Sequence, residues 1–220
     1  MFTVLSIRQL TVPTFFTHCF NQSGKKPTGC LSRHSSAQTD NIYEFSKSGF
    51  LLRTVGSILE KRAIEFRIIH AVDFPAINDT NHDLTGQFVA DTADEVRQAS
   101  AILLVTPATK GSVPALLSTL LGRLADDLFL GKPVLLFAIG GLPAHVALLE
   151  RALRHELVRL GTITAACRVH IGTGNWITIG NDRPRLSRRA EQEVARSIDL
   201  TLRGIRLKEL REHSLELAGR

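Results

Sequence analysis

Cysteine is scarce in this chain of 220 residues: Cys19, Cys30 and Cys167 are scattered, odd in number and free of C-x-x-C spacing. That pattern excludes a disulfide framework and a thiolate metal site, and it points to a reducing compartment, the cytoplasm. The eight histidines form neither H-x-x-x-H nor H-E-x-x-H, so no metal ligand set is expected. Tryptophan and tyrosine occur once each, too few to interleave with basic side chains as a nucleic-acid surface would. The net charge of +6 does not reverse this, because Arg183, Arg185, Arg188 and Arg189 are followed by Glu191, Glu193, Glu209 and Glu212. No apolar run approaches the roughly 20 residues that a membrane helix needs. Neither nucleic acid nor membrane is expected as a partner. A G-x-S-x-G elbow is missing, and Gly24-Lys25 is followed by Lys26 where a phosphate-binding P-loop requires Ser or Thr. Hydrolase and nucleotide-triphosphatase readings therefore lack their key residues.

Acidic residues are absent from residues 1–39, where Arg8, Lys25, Lys26 and Arg33 stand among many Ser and Thr. The composition overlaps with that of an organelle transit peptide. Pro13 and Pro27 interrupt the amphipathic helix such a peptide uses, so a divergent first βα unit is the preferred reading. The rest is ordinary for a globular chain, 44% hydrophobic and 22% charged, and long enough for a three-layer core.

Strands are expected over 2–7 (with 15–20 competing for that role), 65–72, 101–106, 133–139 and 163–171. Helices are expected over 48–61, 91–98, from Pro114 through Leu124, over 145–160 and over 186–202. Pro114 sits where a helix's first turn has no use for the missing N–H, and Leu116, Leu117, Leu120, Leu121 and Leu124 follow as an apolar stripe. Gly161 stands where a left-handed helix cap is favoured. The strands at 101–106 and 133–139 are continuously apolar, as a parallel sheet covered on both faces requires. Alternating β and α units imply an α/β, doubly wound, three-layer fold with a five-stranded parallel sheet. The expected division is an N-terminal segment over 1–47, a core over 48–204 and a helical tail over 205–220.

In such sheets ligands bind beyond the carboxyl ends of the strands, which directs attention to two loops. The first reads Thr106, Pro107, Ala108, Thr109, Lys110, Gly111, Ser112. A strand ending in Pro and small residues exposes backbone N–H groups to a flat ring, although Thr-Pro also serves merely to end a strand. The second is Gly140-Gly141. Paired glycines permit positive φ and clear a ligand's path, with their amides near a helix N-terminus that favours an electron-rich group. A tight turn alone would account for them equally.

Together the loops resemble the NAD(P)H-dependent FMN reductase family, flavodoxin-like enzymes that include reductases of two-component alkanesulfonate monooxygenase systems. The family carries Thr-Pro-x-Tyr-Lys-x-Ser, then Gly-Lys-Pro-Val, Ala-Thr-Gly-Gly, Ala-His and a helix closing on Leu-Gly. Here stand Gly131-Lys132-Pro133-Val134, Ala138-Ile139-Gly140-Gly141, Ala144-His145 and Leu160-Gly161. The resemblance covers roughly residues 48–200. Thr109 replaces the family tyrosine and Ile139 a threonine, so ring stacking from position 109 is lost and weak flavin retention is expected.

The resemblance implies FMN as cofactor and NADPH or NADH as co-substrate, with Pro107, Ala108, Thr109, Lys110, Ser112, Gly140 and Gly141 around the ring. A counterpart of the family's phosphate loop is sought in Gly29-Cys30-Leu31-Ser32-Arg33-His34-Ser35-Ser36, where Ser32, Arg33 and Ser35 supply hydroxyls and a cation. No catalytic acid or base is called for, since the flavin carries the hydride chemistry. His145 stands either near the nicotinamide or as a helix cap, and Trp176 at a pocket edge or a subunit contact. The activity so implied is hydride transfer to FMN, with reduced flavin supplied to a partner monooxygenase from a homodimer or homotetramer. A flavin-retaining quinone or azo reductase, or a non-catalytic flavodoxin-like module, are the alternatives.

Overall fold

Val134–Ile139 is a strand, β4, buried at every one of its positions, and the rest of the chain is arranged to cover it. Side chains alternate across a strand, so Val134, Leu136 and Ala138 enter one apolar layer and Leu135, Phe137 and Ile139 the other. The structure, a computed structural model, describes residues 3–8, 46–70, 73, 82–108, 110–162, 167–179 and 183–218. Expectations that fall on 9–45 or 163–166, the competing strand at 15–20 included, lie outside the described residues.

The other strands are β1 (Thr3–Arg8), β2 (Phe66–His70), β3 (Ala99–Pro107) and β5 (Cys167–Ile171), in the sheet order β2-β1-β3-β4-β5. The helices are α1 (Lys47–Glu60), α2 (His82–Gln98), α3 (Ala115–Arg123), α4 (Pro143–Arg159) and α5 (Arg188–Ala218). Residues of α2, α3 and α4 pack on one face with Val4, Ile102, Leu104 and Leu136. Those of α1 and α5 pack on the other with Leu5, Ile7, Leu103 and Phe137. The three-layer, five-stranded α/β expectation holds, with one correction to the parallel sheet. Strand β1 runs antiparallel to both β2 and β3, while β3, β4 and β5 are parallel to one another. The sequence pattern left the direction of β1 open, because a period of two fixes which side chains face each layer but is the same read in either direction. Val4 and Leu5 reach opposite layers whichever way the strand points.

Helix α2 begins about two turns earlier than expected. Its first half is polar and contains Gly86, a residue that costs a helix about 1 kcal/mol. Packing of Thr85, Phe88 and Val89 on the sheet side overrides that weakness. Helix α5 runs unbroken for 31 residues. Ala190, Val194, Ile198, Leu202 and Ile205 are buried, whereas Leu207, Leu210 and Leu215 face outward. A hairpin of β6 (Trp176–Ile179) and β7 (Arg183–Leu186), not foreseen in the sequence, lies between β5 and α5. Helix α4 ends as Gly161 requires: φ is +89°, Thr162 N–H donates to Leu157 O at 2.9 Å and Gly161 N–H to Val158 O at 3.0 Å. This is the paired-bond left-handed cap.

Candidate functional site

Strands β3, β4 and β5 end in one row. Pro107 is opposite Ile139, and Ile139 opposite Ile171. The next residues, Ala108, Gly140 and Gly172, extend the ladder one step further. Ala108 N–H donates to Ile139 O and Gly140 N–H to Ile171 O, both at 2.9 Å. The carboxyl edge is therefore a shelf with no side chain larger than a methyl at three adjacent positions. Gly172 is a member that sequence reasoning missed. The available signal was its place one residue after a strand, as for Ala108 and Gly140.

Behind the shelf the chain turns tightly. Gly140 and Gly141 have φ of +71° and +68°, conformations that cost other residues about 1–2 kcal/mol. At Gly141 an added Cβ would lie 2.2 Å from Ala108 O, so the two loops meet backbone to backbone. Gly111, φ +69°, presses on α4 in the same way, since a Cβ there would fall 2.9 Å from Leu148 Cβ. Lys110 and Ser112, on either side of it, are exposed. Pro107, Ala108, Lys110, Ser112, Gly140 and Gly141 are thus brought to one edge. Thr109, Ser32, Arg33 and Ser35 lie outside the described residues.

His145 caps α4: its Nδ1 accepts the Leu142 N–H at 3.3 Å. His170, on β5 opposite Ala138, contacts the glycine turn directly, Nε2 to Gly140 O at 3.0 Å. Trp176 packs half-buried against the layer of α1 and α5, and Lys47 Nζ sits 5.8 Å from its ring centroid. Because Trp176 follows β5, this contact brings the N-terminus of α1 to the carboxyl edge. Sequence reasoning missed what stands there: Ser46, Lys47, Ser48 and Gly49. Ser46 is the N-cap, its Oγ accepting Gly49 N–H at 3.0 Å, and Ser48 is buried. The readable signal was a Ser-Lys-Ser run abutting a helical pattern without a break, which Gly29–Ser36 does not do.

Three helices, α1, α3 and α4, begin at this edge with no acidic residue in their first turns. Their partial positive charges stand uncompensated beside Lys47 and Lys110, an environment that attracts anions such as nucleotide phosphates. Among the described residues no group of three or more His, Cys, Asp and Glu could hold a metal ion, and no helix is long and apolar enough to cross a membrane.

Strand order β2-β1-β3-β4-β5 with helices on both faces and a small-residue edge at the carboxyl ends of β3, β4 and β5 is that of a flavodoxin-like α/β protein, here with β1 reversed. Solved structures share this fold. The NADH:FMN oxidoreductase EMOB, in its apo form, superposes with a TM-score of 0.52 at 21% identity over 77% of this chain and 82% of its own. FerB, a flavoenzyme NAD(P)H:(acceptor) oxidoreductase from Paracoccus denitrificans, does so with a TM-score of 0.50 at 18% identity over 73% and 90%. The model of the NADPH-dependent FMN reductase family matches residues 41–175, and the chain belongs to that family. A curated relative, FMN reductase (NADPH) of Pseudomonas putida, is 32% identical over 115 residues. That match covers 52% of this chain and 58% of the relative, less than two thirds of its length.

Proposed function

We propose that this chain is an NAD(P)H-dependent FMN reductase that transfers hydride from a nicotinamide to FMN. The observation that carries the reading is the Ala108–Gly140–Gly172 shelf, flush with the strand ends and faced by three uncompensated helix N-termini. Membership of the family supports it. A flat ring is accommodated on the shelf because nothing larger than a methyl rises from it, and Pro107, Ala108, Thr109, Gly140 and Gly141 are its proposed neighbours. Bound FMN supplies the hydride-accepting chemistry. The protein's own part is to orient the ring and offer backbone donors where negative charge accumulates. No acid or base is needed in the reading.

For the phosphate, Ser46, Lys47 and Ser48 join Ser32, Arg33 and Ser35 as proposed partners, with Lys110 and Ser112 on the facing loop. Ser46 to Ser48 are supported by their position at a helix N-terminus. Release of reduced FMN to a flavin-dependent monooxygenase, cytoplasmic residence and assembly into a homodimer or homotetramer complete the proposal. Assembly is supported by the exposed Leu116, Leu142, Leu148 and Val158 on α3 and α4.

The test is anaerobic oxidation of NADPH and NADH with added FMN. Flavin-dependent turnover with at least one nicotinamide is the expected result, and none with either removes the reading. Retention of FMN with ping-pong reduction of a quinone would replace the monooxygenase partnership by a retained-flavin reductase.

A further inference from the structure

Gly140 is held at both polar ends by a single neighbouring strand. Its N–H donates to Ile171 O at 2.9 Å, and its carbonyl lies 3.0 Å from His170 Nε2. A carbonyl oxygen only accepts, so His170 must carry its proton on Nε2 to make this bond. In a trans peptide the C=O and the following N–H point in opposite directions, and no cis peptide occurs among the described residues. Fixing the Gly140 carbonyl toward His170 therefore fixes the Gly141 N–H away from β5. Among the described residues that N–H meets no acceptor. With no side chain at either glycine, this peptide's orientation is set by the ladder bond to Ile171 O, by the close approach of Gly141 to Ala108 O and by the bond to His170.

From this geometry we infer that His170 is a positioning residue for flavin, an inference that rests on the function proposed above. By donating to Gly140 O it holds the Gly140–Gly141 peptide with the Gly141 N–H presented to the bound ring. It also strengthens that N–H as a donor, because a peptide whose carbonyl accepts a hydrogen bond is polarised toward donation at its nitrogen. A fixed, strengthened donor favours the electron-rich reduced ring over the oxidised one, so the site's preference between the two forms depends on the His170 bond. Nothing in the position of His170 along an alternating strand marks it for this role. Only the register that sets it opposite Ala138 brings its ring to the turn.

Dissociation constants for oxidised and for dithionite-reduced FMN, measured anaerobically, test the inference on the full-length chain and on H170F and H170Q. Glutamine offers an amide N–H at a reach similar to that of Nε2; phenylalanine offers none. H170F should weaken reduced FMN about tenfold more than oxidised FMN, the size of one lost hydrogen bond to a charged partner. H170Q should return that ratio to within about threefold of the wild type. An unchanged ratio in H170F, or equal damage in both variants, overturns the role of His170. Should H170F fail to fold, ¹⁵N NMR of the wild-type imidazole decides: an Nε2–H tautomer with a slowly exchanging proton is expected, and an Nδ1–H tautomer overturns it. A wild-type chain that binds neither form of FMN overturns the proposed function itself and this inference with it. That outcome is distinct from wild-type binding that the variants leave unaltered.

Discussion

Gly141 is the residue at which the backbone leaves no freedom. A side chain there must take a left-handed conformation and also displace Ala108 O, 2.2 Å from where its Cβ would stand. Gly141→Ala should lower the thermal midpoint by about 2–8 °C, from about 1–2 kcal/mol of strain, with further loss from moving the 108–112 loop. It should also raise the dissociation constant for FMN by at least about tenfold, read from flavin fluorescence quenching, since the loop it displaces borders the shelf. Lys47 presents a different case, because the cap of α1 is made by the Ser46 side chain and the Lys47 ammonium adds only its contact with the Trp176 ring. Lys47→Ala should weaken FMN severalfold while leaving riboflavin, which lacks the phosphate, unaffected. Equal loss for both flavins would remove Lys47 from the proposed phosphate site and return attention to Arg33.

At the scale of elements, two arginines join parts that the sequence sets far apart. Arg159, at the last turn of α4, donates to Leu124 O at 2.9 Å and to Leu121 O, and pairs with Asp126 at 2.6 Å. It thereby caps the carbonyls that end α3. Arg159→Ala should cost about 1–3 kcal/mol, from removing the donor to Leu124 O while Leu121 O keeps the Leu124 N–H at 3.2 Å, measured as a shift in the urea midpoint. Arg62 joins α1 to α5 through Asp199, with bonds of 2.6 and 2.8 Å. The hydrogen bond from Arg62 holds the Asp199 carboxyl below its usual range, against the opposing effect of burial. A depressed folded value means that the pair stabilises fully above the unfolded carboxylate pKa of about 3.9. The stabilisation is lost as pH falls through the lower folded value. Asp199→Asn should therefore melt below the wild type by a constant margin from about pH 7 to pH 5, and that margin should close in stronger acid.

For the molecule as a whole, the exposed leucines of α3 and α4 predict association. Light scattering at micromolar concentration should return a multiple of 24.2 kDa, and the monomer mass would leave Leu116, Leu142 and Leu148 unexplained. The layer order was legible in the sequence because burial on both faces demands unbroken apolar strands. Thus 101–106 and 133–139 could be placed at the centre, and Gly161 at a helix end, from residue types alone. The glycine and proline edge proposed for the ring was legible for the same reason: Pro107, Ala108, Gly140 and Gly141 each follow such a strand. The edge proposed for the phosphate was not. Ser46 to Ser48 look like any polar lead into a helix until Trp176, remote in sequence, brings that helix end to the shelf. Composition and periodicity by themselves determined that the central strands are buried on both faces, where α4 stops and that the fold alternates β with α, because these depend on local geometry and on the cost of exposing apolar surface. The direction of β1, the length of α2, the shelf completed by Gly172 and the bond from His170 to Gly140 were decided by tertiary structure alone. Each depends on strand pairing, register or packing between segments remote in sequence, and no local pattern encodes those contacts.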